Sequence, residues 1–368
     1  MKLNKLGEFG LIKLVRNTFT PFDKKGIIAG IGDDCAAIKP REGSLLIATT
    51  DALVEGIHFN LDYTKPYQLG IKSIYINLSD IAAMGGIPLY ALLSIAVPPN
   101  FSVKFMGEFF KGIKDGAKRY KVSIIGGNVS SSPPPLLPPQ VGEEKGGGFF
   151  INITILGEVE KKYMILRKGA KAGDKIFVTG YLGDSAAGMK MLQDARCKMP
   201  GHPRKWVVKL EACNLQLINR HLMPSPRLKE GRFLAVKKLA TSMIDISDGL
   251  ASDIRRLCEE SNVGADIFVK NIPISRELKS EIRNPKSEIN LALYGGEDYE
   301  LLFTVKPEKV GKLKSLWEDM KIPITMIGEI TKREINPVRP SVSYGVNLIN
   351  ADGKATPLTK EGYNHFKG

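Results

Sequence analysis

Acidic residues recur in short turns rich in Gly, Ser and Thr from near one end of the chain to near the other. The segments are Gly30-Ile31-Gly32-Asp33-Asp34, Thr49-Thr50-Asp51, Asn77-Leu78-Ser79-Asp80, Asp245-Ile246-Ser247-Asp248-Gly249 and Gly295-Gly296-Glu297-Asp298. Small residues let a backbone approach phosphate closely, and hard divalent cations prefer oxygen ligands. If these acids serve one site, the fold must gather turns that lie far apart in the chain. The net charge is +14, so the acids are not there for solubility. They suggest a site where several Mg²⁺ ions hold a polyphosphate.

The 368 residues suffice for two domains, and 43% hydrophobic with 25% charged residues is ordinary for a globular protein. The longest apolar stretches are only a few residues, so no membrane span is expected. The opening Met1-Lys2-Leu3-Asn4 lacks a secretory pattern. Cys35, Cys197, Cys213 and Cys258 show no CxxC pairing and read as reduced thiols, so a cytoplasmic location is expected. The basic residues are spread over 161–175, 196–210, 227–238 and 306–314 without a basic stripe or interleaved aromatics, so no nucleic-acid partner is expected.

Leu6, Phe9, Ile12 and Val15 have helical spacing and predict an amphipathic helix over 5–19. A buried strand over 44–50 is expected to end at Asp51. A helix over 66–84 stops at Gly85-Gly86. A strand at 89–97, a helix at 102–120 and a strand at 121–126 follow, then a Pro- and Gly-rich loop over 129–148 and a strand at 149–159. The domain boundary is placed near residue 160. Beyond it come a strand at 175–179, a helix from Gly183, helices at 206–222, 230–240 and 248–261, and strands at 265–269, 299–305 and 324–330. That alternation predicts an α/β sandwich with helices over a mixed sheet.

Each turn also has a plainer reading. Asp33-Asp34 suits an ordinary turn, Asp51 suits a cap, and Asp245-Ile246-Ser247-Asp248 suits a helix N-cap. Asp80 sits within an otherwise apolar helix, which is costly for an acid unless it is paired or metal-bound. Two acids at a helix start can bind Mg²⁺ while the helix N-terminus faces phosphate. Glu297 is either a turn acid or a contact to a cationic or hydroxyl-bearing substrate. His58 lies near Asp51, and Arg167 either occupies a β-turn or meets a nucleotide phosphate. Gly180-Tyr181-Leu182-Gly183 lacks P-loop and GxGxxG spacing and reads as helix-entry packing.

In order along the chain, 30–34, 49–59, 77–86, 125–127, 167–174, 182–188, 221–227 (His-Leu-Met-Pro-Ser-Pro-Arg), 244–250, 295–303 and 362–366 resemble the thiamine-monophosphate kinase family. That family lies within the superfamily of aminoimidazole ribonucleotide synthetase and selenophosphate synthetase. The resemblance spans nearly the whole chain. It implies an α/β (α+β) protein with the two-domain aminoimidazole ribonucleotide synthetase-like fold. Residues 1–160 would form an N-terminal metal- and ATP-binding sheet domain that dimerises, and 161–368 a C-terminal α/β sandwich closing the site. The implied activity is ATP- and Mg²⁺-dependent phosphorylation of thiamine phosphate to thiamine diphosphate by a homodimer.

Carried over position by position, the resemblance gives Asp34, Thr49, Thr50, Asp51, Asp80, Asn128, Asp245 and Asp248 to Mg²⁺. It gives Phe110, Gly127, Asn128, Arg167 and Ser247 to ATP, and His58, Glu297 and Tyr363 to thiamine phosphate. One departure stands out. Where the family has Gly-Gly-Asp-Thr-Thr-Arg, this chain has Gly126-Gly127-Asn128-Val129-Ser130-Ser131, which removes one negative charge and an Arg. Two alternatives follow: a related phosphoryl-transfer enzyme with another small acceptor, or a catalytically weakened nucleotide-binding homologue. Direct in-line transfer is expected, with no discrete catalytic acid or base, because the acceptor phosphate is already largely ionised.

Overall fold

Thr18 Oγ1 donates to Leu14 O at 2.7 Å and Phe19 N to Val15 O at 2.9 Å, closing the last turn of the expected opening helix. The computed structural model describes residues 5, 10–11, 14–15, 17–19, 26–29, 37–132, 148–197, 214–333 and 345–359. The chain divides into two compact units, Met1–Ile81 with Gly86–Lys161, and Ala82–Gly85 with Lys162–Gly368. A cut at residue 160 alone would leave Ala82–Gly85 in the first unit.

In the first unit β1 (Ile27–Ala29) and β2 (Ala37–Ile38) form a small antiparallel pair. Then follow β3 (Ser44–Val54), α1 (Pro66–Ala83), β4 (Ile87–Val97), α2 (Val103–Arg119), β5 (Ser123–Ser131) and β6 (Phe150–Glu160). A four-stranded sheet runs β3-β6-β4-β5, with β4 and β5 parallel and the other pairs antiparallel. Alternation along β3 sets its two faces: Ile47 and Leu53 are buried, while Leu46, Ala48, Thr50 and Ala52 are exposed. Thr49 and Asp51 share the inner face with Ile47 and Leu53.

α1 is buried on nearly every side. Its residues 69–79 and 81–83 are buried, including Lys72, Ser73, Asn77 and Ser79, whereas Asp80 is half-buried. This burial needs close helix contact. A Cβ on Gly70 would stand 2.2 Å from Phe109 O, and one on Gly112 2.1 Å from Tyr67 O. Paired glycines therefore set how near α1 and α2 come.

The second unit contains β7 (Lys175–Thr179), α3 (Asp184–Cys197), α4 (Leu215–Leu222), α5 (Leu228–Val236), β8 (Ala240–Asp245), α6 (Leu250–Ser261) and β9 (Gly264–Phe268). It continues with α7 (Arg276–Ile282), α8 (Pro285–Tyr294), β10 (Leu301–Val305), α9 (Val310–Trp317), β11 (Ile324–Thr331), β12 (Val346–Ile349) and β13 (Ala355–Pro357). Its seven strands order as β13-β12-β9-β11-β7-β10-β8, mostly antiparallel, with β12 and β9 parallel. Period-two alternation buries both faces. Ile176, Val178, Ile244 and Leu302 pack with Leu250, Ile254 and Leu257 of α6. On the other face Phe177 stacks on Phe303 with centroids 5.7 Å apart, and Phe303 on Trp317 of α9 at 6.3 Å.

Candidate active site

In the first unit, Thr49 Oγ1 donates to Asp80 Oδ2 at 2.5 Å, joining the inner face of β3 to the half-buried position of α1. Asp51 does not end its strand, as expected, but lies within it. It pairs with Ile153 of β6 and shares the Thr49 face. Asn77, one turn before Asp80, donates Nδ2 to Ser73 O at 3.1 Å, while its buried Oδ1 has no hydrogen-bond partner.

Thr50 points the other way. Its hydroxyl bonds to Asn152 Oδ1 at 2.7 Å and Thr154 Oγ1 at 3.0 Å on the outer face. A share by Thr50 in a site with Thr49 and Asp51 therefore falls to its backbone. β5 runs on through Gly126-Gly127-Asn128 instead of stopping at 126. Gly127 has φ +152°, and a Cβ there would lie 1.8 Å from Leu93 O, so no side chain fits. Leu93 pairs with Gly127 and with Ile153, which pairs with Asp51. Asp51 and Asn128 thus stand three strand spacings apart, about 14 Å, too far to share one ion within this sheet.

His58 follows β3 in a turn where His58 N donates to Val54 O at 2.9 Å and Val54 N to His58 Nδ1 at 3.1 Å. Because Nδ1 accepts, the neutral ring carries its hydrogen on Nε2. Phe110 is wholly buried and packs edge-on to Phe19 at 5.8 Å. As placed it presents no surface to a nucleotide. Asp34 and Tyr363, and residues 133–147 of the Pro-rich loop, lie outside the described residues.

In the second unit the acids converge on one loop pair. Asp245 ends β8, and the chain beyond it runs beside 297–300: Glu297 N donates to Ser247 O at 2.7 Å, Tyr299 N to Ile246 O at 2.9 Å, and Ile246 N to Glu300 O at 2.8 Å. Ser247 N and Asp248 N both donate to Asp253 Oδ2 at 3.1 Å, so this acid of the first turn of α6 reaches back to hold the loop. Burial pushes the Asp253 carboxyl up to about 7, against the pull of Arg256. Arg256 grips Asp253 at 3.0 Å and Asp248 at 2.5 Å. A cation at Asp248 would have to share that carboxylate with the guanidinium.

Glu297 and Tyr299 both have positive φ, +56° and +50°. Between them Asp298 is turned into the protein: it accepts Gly183 N at 2.9 Å and so anchors the entry to α3. Glu300 forms a buried bidentate pair with Arg227 and accepts Thr179 Oγ1 at 2.6 Å. Arg167 is exposed, and its carbonyl accepts Ser261 Oγ at 2.9 Å, tying its turn to the end of α6.

Sequence reasoning gave no role to Asp253, Arg256, His221, Arg227 or Glu300. The signal for the last pair was present as Pro224-Ser225-Pro226-Arg227 and as the third acid of Glu297-Asp298-Tyr299-Glu300. Among the described residues no three His, Cys, Asp or Glu side chains gather as a metal cage. The donors at hand are carboxylate, hydroxyl and amide oxygens, including the unpartnered Asn77 Oδ1. That set suits Mg²⁺, which takes one or two carboxylates and fills its shell with water and substrate phosphate.

Residues 32–159 match the family AIR synthase related protein, N-terminal domain, and 171–338 its C-terminal domain. The chain is 38% identical to thiamine-monophosphate kinase of Buchnera aphidicola subsp. Schizaphis graminum over 364 residues, covering 98% of this chain and 99% of that one. It superimposes on the crystal structure of thiamine-monophosphate kinase from Stenotrophomonas maltophilia K279a with a TM-score of 0.76 at 30% identity, covering 97% and 99% of the two chains. It also superimposes on AaThiL complexed with AMPPCP and TMP, with a TM-score of 0.69 at 33% identity over 100% and 99%. With both domains matched and relatives similar over their full length, the chain belongs to the thiamine-monophosphate kinase family.

Proposed function

We propose that this protein transfers the γ-phosphoryl group of ATP to thiamine phosphate, giving thiamine diphosphate and ADP. The observation that carries this reading is the full-length match to a protein solved with AMPPCP and TMP bound. A terminal oxygen of thiamine phosphate attacks the γ-phosphorus in line while the bond to the ADP oxygen breaks. Both reactants are anions, so their approach is the main electrostatic obstacle. Mg²⁺ when bound supplies the neutralising charge, and Thr49, Asp51, Asp80, Asp245 and Asp248 are the proposed oxygen ligands among the described residues.

The protein's own groups do the positioning. Asp80 is held toward Thr49, and the Asp253 hydrogen bonds fix the backbone of Ser247 and Asp248. His58 presents an Nε2–H, a donor suited to a phosphate oxygen. Glu297 offers negative charge to the cationic thiamine. Arg167 is proposed for the nucleotide phosphates. Burial of the Cys258 thiol fits the reduced setting of the cytoplasm, where we place the protein.

A coupled assay of ADP release with ATP, Mg²⁺ and thiamine phosphate tests the reading. Asp80→Ala and Asp51→Ala are expected to lower turnover at least about a hundredfold, since each removes charge stabilisation used in the transition state. Their melting temperatures should shift little by comparison. Retained turnover in both variants contradicts these roles.

Asn128 favours one rival, a nucleotide-binding homologue with weakened catalysis. Tight ATP binding without turnover supports it, and a large rate gain in Asn128→Asp shows that the natural Asn weakened a metal site. We also propose a homodimer. The outer face of the first unit's sheet exposes Leu46 at 50% and Phe150 at 36% beside Ala48, Thr50 and Ala52. Sedimentation should give twice the chain mass, and Ala48→Arg should halve it. A monomer in the wild type removes this part of the reading.

A further inference from the structure

Glu297 is pinned by its backbone on every side. Its N–H donates to Ser247 O at 2.7 Å, Asp298 holds Gly183 N at 2.9 Å, and Tyr299 N meets Ile246 O at 2.9 Å. Its φ of +56° is one that L residues rarely adopt. The backbone leaves unset only the side chain, with three rotatable bonds. Its Oε2 lies 3.0 Å from Nδ1 of His221, a residue at the end of α4 and 4% exposed. Ser185 Oγ, in the first turn of α3, stands 3.2 Å from the same nitrogen. An ionised carboxylate only accepts, so Nδ1 carries the hydrogen and donates it to Glu297.

The contacts close a ring. Asp298 also accepts Ser185 N, at 3.4 Å, Ser185 faces His221, His221 holds Glu297, and Glu297 adjoins Asp298 in the chain. A buried imidazole whose Nδ1 meets both Ser185 Oγ and a partly exposed carboxylate is a device for holding that carboxylate still.

We propose that His221 is a positioning residue for Glu297, fixing one carboxylate oxygen so that the side chain meets thiamine phosphate in a single orientation. This rests on the reading of Glu297 as a substrate contact. Pre-setting the side chain removes rotamer freedom that binding would otherwise have to quench. The benefit therefore falls on thiamine phosphate and not on ATP.

Steady-state kinetics of the wild type, His221→Leu, His221→Asn, Glu297→Gln and the double variant His221→Leu/Glu297→Gln test this, with circular dichroism confirming each fold. His221→Leu should raise KM for thiamine phosphate about tenfold, as expected for losing a charged hydrogen bond, and leave KM for ATP within about twofold. His221→Asn sets an amide N–H near the lost Nδ1 and should recover most of that loss. In the Glu297→Gln background, His221→Leu should add less than about twofold, because its effect acts through the missing carboxylate.

Equal losses for both substrates, or a full additional loss in the Gln background, would reduce His221 to general packing and overturn the proposal. An unchanged KM overturns it too. Nitrogen NMR of the His221 ring gives an answer even where His221→Leu does not fold. The Nδ1 signal should move between wild type and Glu297→Gln, and an unmoved signal overturns the contact. A wild type that never phosphorylates thiamine phosphate overturns the substrate reading, while the ring signal separately decides whether His221 holds Glu297.

Discussion

Arg227 and Glu300 illustrate how much can depend on one buried pair. Both are almost fully enclosed, at 6% and 2% exposure, and the guanidinium meets the carboxylate with two hydrogen bonds while Thr179 adds a third. Removing one partner strands the other charge away from water, which typically costs about 3–5 kcal/mol. Arg227→Leu is therefore expected to lower the urea midpoint severely, and adding Glu300→Gln should restore part of the loss. An Arg227→Leu protein as stable as the wild type contradicts this account. At this scale the sequence showed the acids well, because a carboxylate in a Gly or Ser turn is conspicuous. It did not show which acids work on the protein itself. Asp298 and Glu297 are adjacent, yet one caps α3 and the other reaches His221. That distinction depends on partners more than seventy residues away, which no local pattern encodes.

α1 and α2 meet through glycine, and this makes the elements testable. In Gly112→Ala the added Cβ would collide with backbone Tyr67 O, which cannot swing aside. Thermal unfolding should report a loss of roughly 1–3 kcal/mol or more. Gly107 lies in the same helix with nothing within 4 Å of an added Cβ, so Gly107→Ala should gain up to about 1 kcal/mol from helix propensity. Equal effects at the two positions would show that helix contact is not set there. α1 and α2 were legible from their apolar spacing, and Gly85-Gly86 marks the end of α1. β3 and β5 proved longer than they read, since pairing with β6 and β4 carries the ladders through polar Asp51 and Asn128. β8 escaped notice because Ala240-Thr241-Ser242 has little apolar content. Its place is set by pairing with β10, and Ile244 is buried against α6. α7, α8 and α9 were hidden by their many charges, and their caps, such as Asn284 before Pro285, are visible only once the helix is known.

Protonation links the sites to the stability of the whole protein. Burial raises the Asp298 carboxyl well above its ordinary value, and burial also raises Asp184 despite the hydrogen bond from Ser275. Unfolded, both titrate near an ordinary value of about 3.9. Folding therefore takes up protons above that pH, and the stability these groups contribute is full at low pH and lost as pH rises toward their folded values. Urea midpoints measured from about pH 5 to pH 8 should fall less steeply in Asp298→Asn than in the wild type, and equal slopes would contradict the assignment. The boundary near residue 160, placed after the strand that follows the Pro- and Gly-rich loop, falls next to Lys161, but the allegiance of Ala82–Gly85 was not legible. Gly231 lies so close to Ala82 O that a Cβ there would stand 2.1 Å away, Arg232 donates to Gly85 O at 3.2 Å, and Ile165 N to Met84 O at 3.3 Å. A gene fragment starting at residue 162 would thus encode a body with a four-residue plug missing. Its exposed socket, ringed by Ile165, Gly231 and Arg232, would invite the corresponding peptide back in trans.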